Sequence, residues 1–233
     1  MTQPDNRKAK SNGPALRQGV AFFNRLVGLL IEAYMWVRSD RIVVRGRENL
    51  PSQPGYILVA NHVSYADPMI LWRWVNPAIR FWMKTDILFP FVDPILAFFS
   101  RILFGVILVQ RDKPDLRRMI RESKSALLHD WVGVFPEGTR SRGNRPVLQA
   151  GFGGVAVLAR RTGAPLIPVG LHGTSGVANP FSLRRHRVTV SIGKPFVLSE
   201  KAGREEDVKR ILGAIADVLP ESLRGDPASR RAR

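Results

Sequence analysis

Tyr56 to Pro68 read YILVANHVSYADP, an apolar run that stops abruptly at a histidine followed five residues later by an aspartate. Tyr56 to Ala60 is too short for a helix, is rich in β-forming residues and follows Pro54-Gly55, so it reads as a buried strand. Pro68 fixes φ and lacks an N–H, which suits the first position of a helix. Asp67 just before it can cap the exposed amides of that turn. Strand, loop and helix start therefore hold His62 and Asp67 at one edge of a sheet. In open α/β sheets, binding and catalytic groups gather just beyond the carboxyl ends of the strands.

A neutral imidazole removes a proton from an alcohol near neutral pH, and a carboxylate on its other nitrogen fixes the tautomer and stabilises the imidazolium. No protein nucleophile is needed if the alcohol is the substrate. The same two residues also fit a plain account, in which Asp67 only caps the helix and His62 is a satisfied polar residue at a strand end.

A second stretch weighs on that choice. Trp131 to Arg142 read WVGVFPEGTRSR, another short apolar strand that ends in a polar turn. Gly138 permits a tight turn, Thr139 and Ser141 offer hydroxyls, and Arg140 with Arg142 offers planar forks suited to phosphate oxygens. An anion is expected there, although Glu137 could simply pair with an arginine.

Together, NHVSYAD and FPEGTR resemble the acyltransferase family that includes 1-acylglycerol-3-phosphate and glycerol-3-phosphate acyltransferases, and they occur in that family's order. Gly105 to Arg111, GVILVQR, is similar to an intervening block, with Leu108 and Gln110 departing from the usual phenylalanine and acidic residue. Leu166 to Gly170, LIPVG, resembles the last block. The resemblance runs from about Arg45 to Val197 and implies that His62 is the general base and Asp67 its orienting partner. It further implies that Arg111, Glu137, Gly138, Thr139 and Arg140 bind the acceptor phosphate. The donor would be an acyl thioester of coenzyme A or acyl carrier protein, used as co-substrate with no cofactor. Donors to the developing oxyanion are expected from backbone amides near the His62 loop. Ser64 is the only nearby nucleophile and is not expected to act as one.

Composition narrows the classes. The chain has 233 residues, 45% of them hydrophobic, enough for one substantial core. It has no cysteine, so disulfides, thiolate metal sites and a cysteine nucleophile are excluded. His62, His129, His172 and His186 lack metal-ligand spacing, so no metal is expected. A formal charge of +17 calls for an anionic partner or a strongly hydrated surface. No nucleic-acid motif is visible, so the expected partner is an anionic phospholipid membrane.

Residues 1–15 read as a mobile basic tail. Over residues 16–39 Leu16, Val20, Phe23, Val27, Leu30, Tyr34 and Val37 recur at steps of four and three, giving an amphipathic helix. Arg25 and Glu32 interrupt it too soon for a membrane span. It is expected either in the membrane interface, with Tyr34 and Trp36 at headgroup level, or packed on the domain as a core helix. Residues 40–220 form the acyltransferase domain and residues 221–233 a basic tail. Strands are expected near Arg41–Val44, Tyr56–Ala60, Ile79–Met83, Gly105–Gln110, Trp131–Phe135, Leu166–Leu171 and Val188–Ile192. Helices are expected near Pro68–Val75, Pro114–His129, Phe152–Arg161 and Arg204–Leu219. Lys84 to Phe104 is dense in apolar residues around Pro90 and Pro94 and fits a membrane-facing or acyl-lining segment or an ordinary core helix, with Lys84 near the active edge. Arg184, Arg185 and Arg187 read as a solvated charge run.

The expected fold is α/β, a mixed, mostly parallel sheet flanked by helices, with the N-terminal helix at the membrane interface. The expected activity is transfer of a fatty acyl group to lysophosphatidate, at the cytoplasmic face of the membrane by a monotopic or peripheral enzyme. Acylation of another lysophospholipid or glycerol 3-phosphate, a thioester hydrolase using the same pair, and a non-catalytic basic binding protein stay open at this point.

Overall fold

Strand β2 (Ile57–Ala60) is apolar at every position and fully buried on both faces, the pattern of a central parallel strand. The computed structural model describes residues 14–84, 100–101, 104–109, 115–140, 147–177, 185–199 and 202–225. Six further strands join it: β1 (Ser39–Arg45), β3 (Ile79–Lys84), β4 (Ile107–Val109), β5 (Trp131–Val134), β6 (Leu166–His172) and β7 (His186–Ile192). Their order is β1-β7-β6-β2-β5-β3-β4, so β2 is the fourth of seven. Every neighbouring pair is parallel except β6 with β7. This is the mixed, mostly parallel sheet expected from the alternation of strands and helices.

Side chains alternate along β2 and divide the core in two. Ile57 and Val59 face the layer formed by α3 (Leu116–Leu127), α4 (Gly154–Thr162) and α6 (Arg204–Asp217), packing with Leu127, Leu158 and Ile211. Leu58 and Ala60 face the opposite layer, with Met35 of α1 (Pro14–Arg38) and Ile70 and Leu71 of α2 (Asp67–Trp74). Fully burying one such aliphatic side chain contributes about 1.5–3 kcal/mol. A further short helix, α5 (Thr174–Val177), precedes β7.

Helix α1 meets the body along a narrow stripe. Gly28 and Met35 are buried, Glu32 pairs with Arg73 of α2, and the Tyr34 hydroxyl donates to the Val177 carbonyl at 2.8 Å. Phe22, Leu26, Leu29, Leu30, Trp36 and Val37 are exposed. Tyr34, expected as a headgroup anchor, is thus tied to the domain by its hydroxyl. Arg185, expected as part of a solvated run, donates to the carbonyls of Trp36 and Ser39 and staples the end of α1. No helix among the described residues is long and apolar enough to cross a membrane.

Helix α3 begins at an aspartate cap, Asp115 accepting from the Arg118 amide at 3.0 Å. Burial opposes the charge of Glu122, but hydrogen bonds and charges from Arg118 and Arg101 outweigh it and hold the carboxyl below its usual range. Glu221–Leu223, expected within the tail, forms a 3-10 turn whose Leu223 is buried against Leu148. The apolar segment expected between Lys84 and Phe104 lies almost wholly outside the described residues, as do residues 1–13 and Arg111.

Candidate active site

The connections leaving β2 and β5 create the site. From β2 the chain passes to α2 on one face of the sheet, and from β5 it passes to α4 on the other. Two adjacent parallel strands whose exits diverge open a crevice at their carboxyl ends. His62 and Asp67 enter it from the first connection, and Glu137 to Arg140 from the second.

Asn61 fixes the chain just before the histidine. It is 2% exposed, donates to the Leu171 carbonyl at 2.9 Å and accepts from the Leu171 amide at 2.7 Å, clamping the end of β2 to β6. His62 Nδ1 then lies 2.9 Å from Asp67 Oδ2. A carboxylate accepts only, so Nδ1 carries the proton and Nε2 carries the lone pair. The imidazole stacks on Phe135, centroids 4.2 Å apart, and Phe135 stacks in turn on Phe81. Among the described residues Nε2 has no protein partner, and the side chain keeps 18% of its surface open to the crevice.

Asp67 does not cap the helix it begins, contrary to the expectation from its position before Pro68. Its Oδ2 accepts from the Val63 and Ser64 amides at 2.8 Å each, as well as from His62. The carboxylate folds back because that loop offers it two amides and an imidazole N–H at once. Ser64 is buried, and its hydroxyl oxygen accepts from the Ala66 amide. These bonds take three amides of the loop out of the set of expected oxyanion donors: those of Val63 and Ser64 point at Asp67, and that of His62 donates to Glu137 Oε1 at 2.8 Å. An N–H aimed at a carboxylate is not aimed at a thioester oxygen.

Glu137 is fully buried, and its second oxygen accepts from the Gln149 amide at 3.1 Å. It therefore ties the β5 loop to the β2 loop rather than facing outward. Gly138 has φ +62°, and an added Cβ would stand 2.7 Å from the Phe152 ring, so only glycine fits this turn. Thr139 is exposed at the tip. The Arg140 guanidinium carbon sits 3.4 Å from the Tyr65 ring centroid, and its Nη2 donates to the Tyr65 hydroxyl at 2.7 Å. No group of His, Cys, Asp or Glu suited to a metal ion occurs among the described residues.

The Acyltransferase family model matches residues 41–172, which include both loops. The chain belongs to the acyltransferase family. It is 30% identical over 155 residues to the 1-acyl-sn-glycerol-3-phosphate acyltransferase of Borreliella burgdorferi, covering 62% of this chain and 56% of that one. The Bacillus subtilis protein of the same name is 24% identical over 184 residues, covering 78% and 86%. Against the chloroplastic relative from Brassica napus, 32% identical, the match covers 71% of this chain and 47% of that one. The chain thus spans about half the length of several curated relatives it matches. The solved PlsC of Thermotoga maritima shares the fold, with a TM-score of 0.64 and 24% identity over 90% of this chain and 83% of that one.

In this acyltransferase-family chain, the sequence brought His62 and Asp67 together correctly. Several functional neighbours carried no local signal. Asn61, Phe135 and Tyr65 lie inside the two loops, but their partners are Leu171, His62 and Arg140, and only the sheet order reveals them. Gly133 is a further case: a Cβ there would meet Phe81 at 2.4 Å, so its absence lets Phe81 reach the stack behind His62.

Proposed function

We propose that the protein is an O-acyltransferase that moves a fatty acyl group from a thioester to the free hydroxyl of 1-acylglycerol 3-phosphate, making phosphatidate. The observation that carries the reading is that His62 Nε2, backed by Asp67 and open to the crevice, has no protein partner among the described residues. Nε2 takes the acceptor hydroxyl proton, the hydroxyl oxygen forms the ester bond to the thioester carbon, and the C–S bond breaks. The imidazolium then returns its proton to the leaving thiolate, and Asp67 stabilises the charge in between. No acyl-enzyme is required, and the inward Ser64 hydroxyl agrees with direct transfer.

Arg140 supplies a charged fork for the acceptor phosphate, and the Tyr65 ring and hydroxyl hold it in one orientation. Arg111 and Thr139 complete that subsite in this reading. Glu137 acts by positioning, because a buried carboxylate that holds the His62 amide sets where the imidazole stands. The deciding experiment follows thioester loss and lipid product with purified protein on anionic vesicles. Phosphatidate formed only when lysophosphatidate is present supports the proposal. Thioester loss without an acceptor favours a hydrolase, and turnover with a different lysolipid only reassigns the acceptor.

We also propose that α1 lies in the membrane interface on the cytoplasmic side. Its exposed Leu29, Trp36 and neighbours form an apolar surface next to α2, and binding there spares the enzyme from drawing a lipid acceptor into water. The basic surface adds attraction to anionic lipids, on the order of 1 kcal/mol per basic residue near the surface. Co-flotation with anionic vesicles is expected to weaken in high salt, on neutral vesicles and in Leu29→Glu. Flotation indifferent to salt and lipid charge removes the electrostatic part of the account.

A further inference from the structure

The two helices that leave the active edge on the face opposite α1 enclose a second feature. Leu116 and Ile120 of α3 and Val157 of α4 form the apolar floor of an open groove of about 560 Å3, with Arg117, Lys124 and Arg161 on its walls. The helical period placed Leu116 on the inner face of α3, but it is 36% exposed and turns toward this groove. Arg121 continues the same stripe, so Arg117, Arg121 and Lys124 recur at steps of four and three. They span about 10 Å along the helix axis.

These cations face solvent. Arg117, Arg121, Lys124 and Arg161 are all exposed, and among the described residues none is paired with a carboxylate. Among the described residues Glu122 bonds Arg118 at 2.9 Å and Arg101 at 3.5 Å, and Asp115 caps the helix. Four uncompensated charges around an apolar trough repel one another, a cost that an acidic occupant removes.

We infer that the groove between α3 and α4 docks an acidic amphipathic helix of the acyl-carrying protein that delivers the thioester. Four observations favour this occupant. The floor residues Leu116 and Ile120 are four apart, matching the spacing at which a partner helix presents apolar side chains. The lining offers no aromatic face on which a nucleotide base would stack. The groove packs on the sheet face away from α1, so on a membrane-bound protein it faces the aqueous phase. Both helices also start at the active edge, following β4 and β5, so a docked carrier stands beside the crevice that its thioester arm must enter.

The inference rests on the proposed thioester transfer, and the test separates the two. The triple variant Arg117→Glu/Lys124→Glu/Arg161→Glu changes only exposed side chains, and its thermal midpoint serves as the folding control. Steady-state rates are measured with lysophosphatidate and with either palmitoyl acyl carrier protein or palmitoyl coenzyme A as donor. Binding of the holo carrier protein without an acyl chain is titrated separately. The expected result is a loss of about tenfold or more in kcat/KM for the carrier-protein donor and a matching loss of carrier binding, with the coenzyme A donor unaffected. Equal losses with both donors place the coenzyme A nucleotide in the groove and overturn the inference, as does carrier binding unchanged by the substitutions. A wild type that binds the holo carrier through these residues yet transfers from neither donor sinks the thioester reading while leaving the docking surface standing.

Discussion

His62→Ala is expected to lower turnover by about two to four orders of magnitude, the usual contribution of a positioned general base. Little else should change. The imidazole is partly exposed and gives up one hydrogen bond and a stack on Phe135. Asp67 retains the Val63 and Ser64 amides, so the loop keeps two of its three ties to that carboxylate. The stability loss should stay near 1–2 kcal/mol. The measurement is kcat and KM for both substrates beside the thermal midpoint; a variant within tenfold of wild-type turnover would remove the base from the mechanism.

Asp67→Asn is expected to cost both activity and stability. Oδ2 accepts three donors, whereas Oδ1 is buried with no partner. An amide in this place either turns its NH2 toward three donors or leaves it in the partnerless position, so buried donors go unsatisfied. Each costs about 1–3 kcal/mol. That range corresponds to a fall in midpoint of roughly 2–12 °C for a domain of this size. A neutral amide also cannot stabilise the imidazolium or enforce the Nδ1–H tautomer, so turnover should fall on the order of 10² to 10⁴-fold. The contrast with His62→Ala is the informative part: equal catalytic losses, with the larger destabilisation in Asp67→Asn. An asparagine variant that loses activity with an unchanged midpoint would show that the carboxylate is not needed to hold the loop.

The architecture was largely legible because buried parallel strands announce themselves. Tyr56–Ala60, Trp131–Phe135 and Leu166–Leu171 are short apolar runs bounded by proline, glycine or charge, and each matches a central strand to within one residue at either end. The longer helices were located within two or three residues by their period and caps, whereas the single-turn α5 was not expected. Reading failed where a polar group had a choice of partners. Asp67 had a helix terminus to cap and a loop to hold, and the loop offered more donors. The amides of residues 62–64 looked free in the sequence because the carboxylates that take them could not be seen, Glu137 being 75 residues away.

Sequence alone determined what is local. It placed seven strands in a mostly parallel sheet and put a histidine and an aspartate at one strand exit, because residues five apart in a tight loop before a proline-started helix have few ways not to meet. Distant approaches required the tertiary structure: Glu137 against the His62 amide, Tyr65 under Arg140, Asn61 clamped to Leu171 and the stapling of α1 by Arg185. Each depends on β2 lying between β5 and β6 or on β7 lying beside β1. The strand runs would read the same under any other order, so no local pattern encodes it. The order is selected by which arrangement buries both faces of the sheet and brings Asn61, Asp67 and Glu137 within reach of their hydrogen-bond partners.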